Sequence, residues 1–186
     1  MDFLGFFKRL FGRGQPAPSR TVVTATGKTI TAPERREGGR SGAREGTRVL
    51  VIDDSTTVLA VLRRYLEQNQ YIVLEAETAE AGIQIARQEH PDLVFLDIVL
   101  PGMNGFTALR TLRREPGTKD IPVIMMSGNE QATEQFYAQR IGADDFMKKP
   151  FSRPELFARI ERLLDADKVP KRFAAGATSQ SFGGQS

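Results

Sequence analysis

From residue 48 onward, short runs of consecutive apolar residues alternate with stretches in which apolar residues recur every three or four positions. The short runs predict strands at residues 49–52, 71–75, 93–96 and 121–126, and a short fifth strand is predicted at 144–148. The periodic stretches predict helices at residues 55–69, 78–88, 105–114, 130–140 and 153–164. Strands alternating with helices in this way indicate right-handed crossovers and a parallel sheet that is covered on both faces. The sequence therefore predicts an α/β fold for this region.

The residues on either side of this region lack both patterns. Residues 14–47 are rich in Gly, Pro, Ser, Thr and Arg and contain few large apolar residues, so burial cannot offset the entropy lost on ordering them. We therefore predict a flexible linker at 14–47 and a folded domain at 48–166. The Gly, Ser and Gln content of residues 167–186 predicts a disordered C-terminal tail.

Residues 1–13 combine aromatic and basic side chains. On a helix, one broad apolar arc contains Phe3, Leu4, Phe6, Phe7, Leu10 and Phe11. Lys8, Arg9 and Arg13 fall outside this arc, and two glycines weaken an isolated helix. We expect this amphipathic segment to fold on an anionic membrane surface or in the groove of a partner protein. The alternatives are a disordered tail or an element docked on its own domain.

The net charge of +3 is unevenly distributed along the chain. Residues 1–47 contain 9 basic and 4 acidic side chains, whereas residues 48–166 contain 14 basic and 18 acidic ones. The positive charge thus belongs to the tails, and the domain gives no indication of nucleic-acid binding. The absence of Cys excludes disulfides and thiolate metal sites and fits a reducing cytoplasm. No apolar run approaches the roughly 20 residues that span a bilayer, and the N-terminus lacks the pattern of a secretory signal.

Polar side chains occur where the predicted strands end. Asp53 and Asp54 follow the first strand, Asp97 follows the third, Ser127 ends the fourth and Lys149 follows the fifth. Because parallel strands all point the same way, these side chains should meet at one edge of the sheet. Open α/β sheets bind their ligands at that edge, so the sequence predicts a functional site there.

The chemistry of this set favours phosphoryl transfer. Three carboxylates in one small site cannot all stay ionised without a cation, which implies a hard divalent ion such as Mg²⁺. The positive charge of Lys149 and the hydroxyl of Ser127 are suited to holding phosphoryl oxygens. Asp97, which lies between a buried strand and a loop containing Pro and Gly, is the candidate reacting residue. Attack by its carboxylate on a phosphoryl group would form an aspartyl-phosphate.

Each of these residues also has an ordinary structural interpretation. Asp53 and Asp54 would favour a helix N-terminus, Lys149 would be a solvated surface charge and Ser127 a turn residue. The occurrence of all of them at corresponding strand ends argues against these interpretations taken together.

Four segments resemble the receiver domain of two-component response regulators. They are residues 51–55 (VIDDS), 96–105 (LDIVLPGMNG), 126–128 (MSG) and 142–151 (GADDFMKKPF). The resemblance covers residues 48–166 and implies a flavodoxin-like (βα)5 fold, a doubly wound parallel sheet with strand order 2-1-3-4-5. Within the family, the chain looks like the small single-domain regulators that control type IV pili and twitching motility.

The resemblance assigns the acidic residues to an acceptor and a metal site. Asp97 would be the phospho-acceptor. Asp53, Asp54 and Asp97 would bind Mg²⁺ together with the backbone carbonyl of Val99.

The resemblance also assigns the residues that bind the phosphoryl group and respond to it. Ser127 and Lys149 would hold its oxygens, and Ser127 and Phe146 would form the switch. Because Phe146 lacks the hydroxyl of the Tyr often found at this position, it would act by burial of its ring alone. The Lys149–Pro150 peptide bond would be cis.

The function implied is a phosphorylation switch that catalyses only its own phosphotransfer and dephosphorylation, and is otherwise not an enzyme. A histidine kinase or phosphotransfer protein would supply the phosphoryl group. An output protein would bind the face formed by the fourth helix, the fifth strand and the fifth helix. Residues 1–13 would add a membrane or polar-protein contact, which places the protein in the cytoplasm, peripherally at the inner membrane or cell pole. The alternative is a phosphorylation-modulated scaffold or phosphate sink targeted by the same helix.

Other protein classes fit the sequence less well. A phosphatase of the haloacid-dehalogenase class requires a second Asp two residues beyond the nucleophile, where this chain has Val99. Specific DNA binding is not expected, because the residues after the domain are too few for a helix-turn-helix module. A scaffold that has lost phosphorylation conflicts with the intact acidic set. A histidine kinase is excluded because His90, the only His, lies away from the site.

Overall fold

The computed structural model describes residues 42–128 and 137–172. Within them, five parallel strands form one sheet in the order β2-β1-β3-β4-β5. The strands are β1 (Arg48–Ile52), β2 (Ile72–Ala76), β3 (Leu93–Asp97), β4 (Val123–Ser127) and β5 (Asp145–Lys148). The helices are α1 (Thr56–Glu67), α2 (Ala79–Glu89), α3 (Gly105–Arg114), α4 (described at residues 137–140) and α5 (Arg153–Arg162). The predicted flavodoxin-like fold and strand order are confirmed.

The sheet separates two apolar layers. Successive side chains of a strand point to opposite faces, and in β1 Leu50 and Ile52 belong to one buried cluster while Val49 and Val51 belong to the other. Helices α2 and α3, with Ala138 of α4, cover the first cluster, and α1 and α5 cover the second. This two-sided burial explains why the strands consist of uninterrupted apolar runs.

Four helices begin immediately after a capping side chain. The caps are Ser55 for α1, Thr78 for α2, Asn104 for α3 and Ser152 for α5. Each cap accepts a hydrogen bond from the backbone N–H three residues further on, at 2.9–3.4 Å. Such a cap is worth about 1 kcal/mol, so local sequence determines where these helices start.

Strand β4 starts later than its apolar run predicts. The run begins at Ile121, but the N–H of Ile121 donates to the carbonyl of Thr118 in a turn, and Pro122 has no N–H to donate. Regular pairing therefore starts at Val123, whose N–H donates to the Asp144 carboxylate at 2.8 Å.

The folded domain extends beyond the predicted bounds of 48–166, which is a correction to the predicted linker and tail. At the first end, the Ala43 N–H donates to the Tyr71 hydroxyl at 3.1 Å and the side chain of Thr47 is buried. At the other end, Pro170 is buried and Arg172 forms an ion pair with Asp144. Composition alone missed these contacts because each joins residues that are far apart in the sequence. The remainder of the predicted linker and tail lies outside the described residues, as do residues 130–136 of the predicted fourth helix.

Within residues 42–128 and 137–172, no helix is both long enough and apolar enough to cross a membrane.

Candidate functional site

The structure brings the predicted polar residues together at the C-terminal edge of the sheet. Asp53 directly follows β1, Asp97 and Ser127 are the last residues of β3 and β4, and Lys149 directly follows β5. These four strands are neighbours in the sheet, so their ends adjoin one another. Asp53, Asp97 and Ser127 are buried, whereas Asp54 is exposed.

The three carboxylates form a compact acidic cluster that contacts one lysine. One carboxylate oxygen from each of Asp53, Asp54 and Asp97 lies within 4.8 Å of the others. The Nζ atom of Lys149 lies 2.5 Å from Oδ2 of Asp53 and 3.0 Å from Oδ2 of Asp97. Lys149 therefore bridges the two buried carboxylates.

Burial sets the proton affinity of both bridged carboxylates. It raises the pKa of Asp53 above its ordinary value, and the ammonium of Lys149 opposes this rise. It likewise raises the pKa of Asp97, where Lys149 again opposes the effect and the neighbouring Asp53 charge adds to it. One lysine thus compensates the acidic cluster only in part.

The donor set fits a hard divalent cation. Oδ1 of Asp53 accepts the backbone N–H of Ser55 at 3.0 Å, while its buried Oδ2 contacts the Lys149 ammonium and, among the described residues, no other polar partner. Three carboxylates that face one ammonium retain an excess of negative charge. Oxygen ligands with excess negative charge are the surroundings that Mg²⁺ prefers.

The other predicted site residues surround this cluster. The backbone N–H of Val99 lowers the pKa of Asp97, and the Val99 side chain is 67% exposed. Phe146 lies on β5, partly buried against the apolar cluster under α2 and α3. The backbone N–H of Lys149 donates to the carbonyl of Ser127 at 2.7 Å, and the Lys149–Pro150 bond is cis. The assigned roles of the Val99 carbonyl, Ser127 and Phe146 stay predictions.

Two residues that shape the site were not assigned a role from the sequence. Ser55 both caps α1 and holds the Asp53 carboxylate through its backbone N–H. Gly105 starts α3 against the backbone of Asp97, where a side chain would collide. The Asp-x-Ser spacing could have predicted the hydrogen bond from the Ser55 N–H to the Asp53 carboxylate. A glycine at the start of a helix does not indicate which backbone it packs against.

The six apolar residues from Phe3 to Phe11 lie outside the described residues, and the predicted membrane or partner helix stays a prediction.

Comparison with known protein families identifies one match that covers more than half of the chain. Residues 49–161 match the response regulator receiver domain. The matched region contains every predicted site residue of the acidic cluster, its lysine and the switch.

Relatives of known sequence or structure agree with this match. The chain is 41% identical over 117 residues to Protein PilH of Pseudomonas aeruginosa, which covers 63% of this chain and 97% of PilH. It is 36% identical over 117 residues to the phosphate regulon transcriptional regulatory protein PhoB of Escherichia coli, but spans only 51% of that protein. A crystal structure of a putative response regulator from Chloroflexus aurantiacus superimposes with a TM-score of 0.61 at 30% identity, covering 63% of this chain and 97% of that one.

Proposed function

This chain belongs to the response regulator receiver domain family, and we propose that it is a phosphorylation switch whose phospho-acceptor is Asp97. The observation that supports this assignment most directly is the bridge that Lys149 makes between Asp53 and Asp97. Of the two bridged carboxylates, Asp97 ends the central strand β3 and lies beside the exposed loop residue Val99. The loop that carries Val99 is therefore the side from which a phosphoryl donor would reach Asp97.

In the proposed reaction, a carboxylate oxygen of Asp97 attacks the phosphorus atom of a phosphohistidine. The phosphorus–nitrogen bond breaks, the electron pair stays on the histidine nitrogen, and a mixed anhydride forms on Asp97. Lys149 contributes a positive charge beside the phosphoryl oxygens, and Ser127 contributes a hydroxyl. Bound Mg²⁺ would neutralise negative charge on the phosphoryl group, held by Asp53, Asp54, Asp97 and the carbonyl of Val99.

The proposed partners follow from this chemistry. A histidine kinase or phosphotransfer protein supplies the phosphoryl group, and an output protein binds the face formed by α4, β5 and α5. Phosphorylation draws Ser127 toward Asp97 and frees space into which the ring of Phe146 moves. Because packed cores tend to be bistable, a small movement of a hydroxyl can select between two positions of the ring.

The proposed pathway is the control of type IV pilus motility. The similarity to PilH, which extends over nearly the whole of that protein, supports this assignment. The protein acts in the cytoplasm, and residues 1–13 bring it to the inner membrane or the cell pole by contacting anionic lipid or a polar protein.

The test is phosphorylation with a small donor. Incubation with acetyl phosphate and Mg²⁺ should add one phosphoryl group to the chain, detectable by mass spectrometry of the intact protein. Addition of EDTA or the substitution Asp97→Asn should abolish the gain, whereas Asp167→Asn, at an exposed carboxylate of the same type, should leave it unchanged. Full labelling of Asp97→Asn would show that the acceptor lies elsewhere.

A further inference from the structure

The residues that follow α5 fold back against the domain. Leu164 pairs with Pro170 in an isolated antiparallel bridge. The Asp165 carboxylate closes the turn between them by accepting the backbone N–H groups of Asp167 and Val169, each at 3.0 Å. We call residues 163–172 the C-terminal strap.

Arg172 attaches the end of the strap to the loops that lead into β4 and β5. Its Nε donates to Oδ1 of Asp144 at 2.8 Å, and its Nη1 donates to the carbonyl of Lys119 at 2.9 Å. A longer contact of 3.4 Å joins its Nη2 to the carbonyl of Gly142. The Asp144 side chain is 6% exposed and that of Arg172 is 31% exposed, so this charge-assisted pair is partly shielded from solvent and stronger than a fully exposed one.

Asp144 does not depend on Arg172 alone. Its Oδ2 accepts from Nη2 of Arg113 at 2.7 Å and from the backbone N–H of Val123 at 2.8 Å. Arg113 also donates to the carbonyl of Gly142 at 2.8 Å. If Arg172 is removed, the Asp144 carboxylate keeps these partners, so the strap can detach without leaving that carboxylate unpaired.

The strap also holds the chain where it enters the domain. The backbone N–H of Arg44 donates to the carbonyl of Lys168 at 2.8 Å. Arg44 precedes β1, and Arg172 contacts the loops that precede β4 and β5. All these contacts lie at the edge where the parallel strands begin, which is the edge opposite Asp97.

We propose that the C-terminal strap acts as a clasp, which is a non-covalent link between the segment that enters β1 and the segment that leaves α5. Arg172 is the residue that holds this clasp closed. These contacts lie at the edge opposite the carboxylate site and involve none of its residues. Opening of the clasp is therefore a conformational change that is separate from phosphorylation of Asp97.

The chain contains no Cys, so an introduced pair reports this contact alone. Both Arg44 and Lys168 are exposed, and the backbone hydrogen bond of 2.8 Å between them makes the two residues direct neighbours, as a disulfide requires. In the full-length protein, the variant Arg44→Cys/Lys168→Cys should form an intramolecular disulfide under mild oxidation, measured by the loss of free thiols. Each single-Cys variant should not.

Adding Arg172→Gln to the pair should slow disulfide formation by about tenfold or more, because it removes the ion pair with Asp144 and the hydrogen bonds to the carbonyls of Lys119 and Gly142. Adding Lys171→Gln, at the exposed neighbouring residue, should leave the rate unchanged. Circular dichroism and labelling by acetyl phosphate should be unaltered in both. An unchanged rate with Arg172→Gln would overturn the role of Arg172, and failure of the parental pair to form a disulfide would overturn the clasp itself.

Discussion

A Cβ atom placed on Gly105 would lie 2.0 Å from the backbone oxygen of Asp97. Gly105 is the first residue of α3, and its N–H donates to the carbonyl of Ile98 at 3.0 Å. The start of this helix therefore packs directly on the backbone that carries the proposed acceptor. Only a residue without a side chain permits this contact, so Gly105 helps to set the position of Asp97.

The substitution Gly105→Ala should disturb both stability and the site. The added methyl group must displace backbone atoms, and overpacking of this kind costs about 1–3 kcal/mol. We expect a lower free energy of unfolding in urea and slower labelling by acetyl phosphate. Gly128→Ala is the matched control, because its Cβ would meet no atom of the described residues within 4 Å. Equal behaviour of the two variants would contradict the proposed role of the close contact.

Removal of the bridging lysine should make stability depend more strongly on Mg²⁺. Lys149→Gln leaves the buried carboxylates of Asp53 and Asp97 without their cation, and breaking a buried pair costs about 3–5 kcal/mol. In EDTA, we expect the melting temperature of this variant to fall below that of the natural protein. Added Mg²⁺ should then raise it by more than it raises the natural protein. Lys148→Gln, at the exposed neighbour, should respond to Mg²⁺ as the natural protein does, and the same response in Lys149→Gln would argue against the bridge.

The raised pKa values of Asp53 and Asp97 predict how pH affects the metal-free protein. Their folded pKa values lie above the ordinary value of 3.8, so protons bind the folded state more tightly than the unfolded state. This contribution to stability is present at low pH and is lost as pH rises through the raised pKa values. Mg²⁺ competes with these protons, so its affinity should rise over the same range.

Thermal unfolding of the natural protein and of Asp53→Asn, measured in EDTA at a series of pH values, tests the pH effect. As pH rises above 3.8, Asp53→Asn should become more stable relative to the natural protein. A stability difference that does not change with pH would show that burial does not control the titration of Asp53.

The switch proposal predicts that Ser127→Ala separates phosphorylation from its structural effect. Ser127 is fully buried at the end of β4, and loss of its hydroxyl leaves the carboxylates in place. Labelling by acetyl phosphate should persist, whereas the change in hydrogen exchange along β5 that follows labelling should be lost. Ser127→Thr, which retains a hydroxyl, should preserve that change. A normal exchange response in Ser127→Ala would exclude this coupling route.

The N-terminal segment is predicted to bind anionic membranes. Burial of a large apolar side chain is worth roughly 1.5–3 kcal/mol, and each basic residue near anionic lipid adds about 1 kcal/mol. Residues 1–14 fused to a fluorescent protein should therefore sediment with anionic liposomes, and less so at high salt. Phe7→Glu should release the fusion, whereas Phe7→Leu, which keeps the apolar arc, should not. Absence of binding at every lipid composition would leave only a protein partner for this segment.

The fold was predictable because its determinants are local. The apolar run at 93–96 identifies a strand that is buried on both faces, and caps such as Ser55 and Asn104 identify helix starts. Once the strands are parallel, the positions of Asp53 and Asp97 at strand ends are enough to place them at one edge. The placement of these two carboxylates at one edge thus followed from the order and spacing of residues.

Tertiary structure decided which groups touch and how far the domain extends. Two contacts could not be predicted from sequence spacing: Gly105 packs closely on Asp97, and Arg172 pairs with Asp144. The residues of each pair are not related by the repeat of a helix or a strand. Arg172 lies in a segment whose composition predicts disorder, yet it forms an ion pair with the buried carboxylate of Asp144. That carboxylate reaches its position only when the sheet has folded. The physical reason is that periodicity and capping depend on neighbours along the chain. Ion pairs and steric contacts depend instead on distances in space that exist only after the strands and helices have packed.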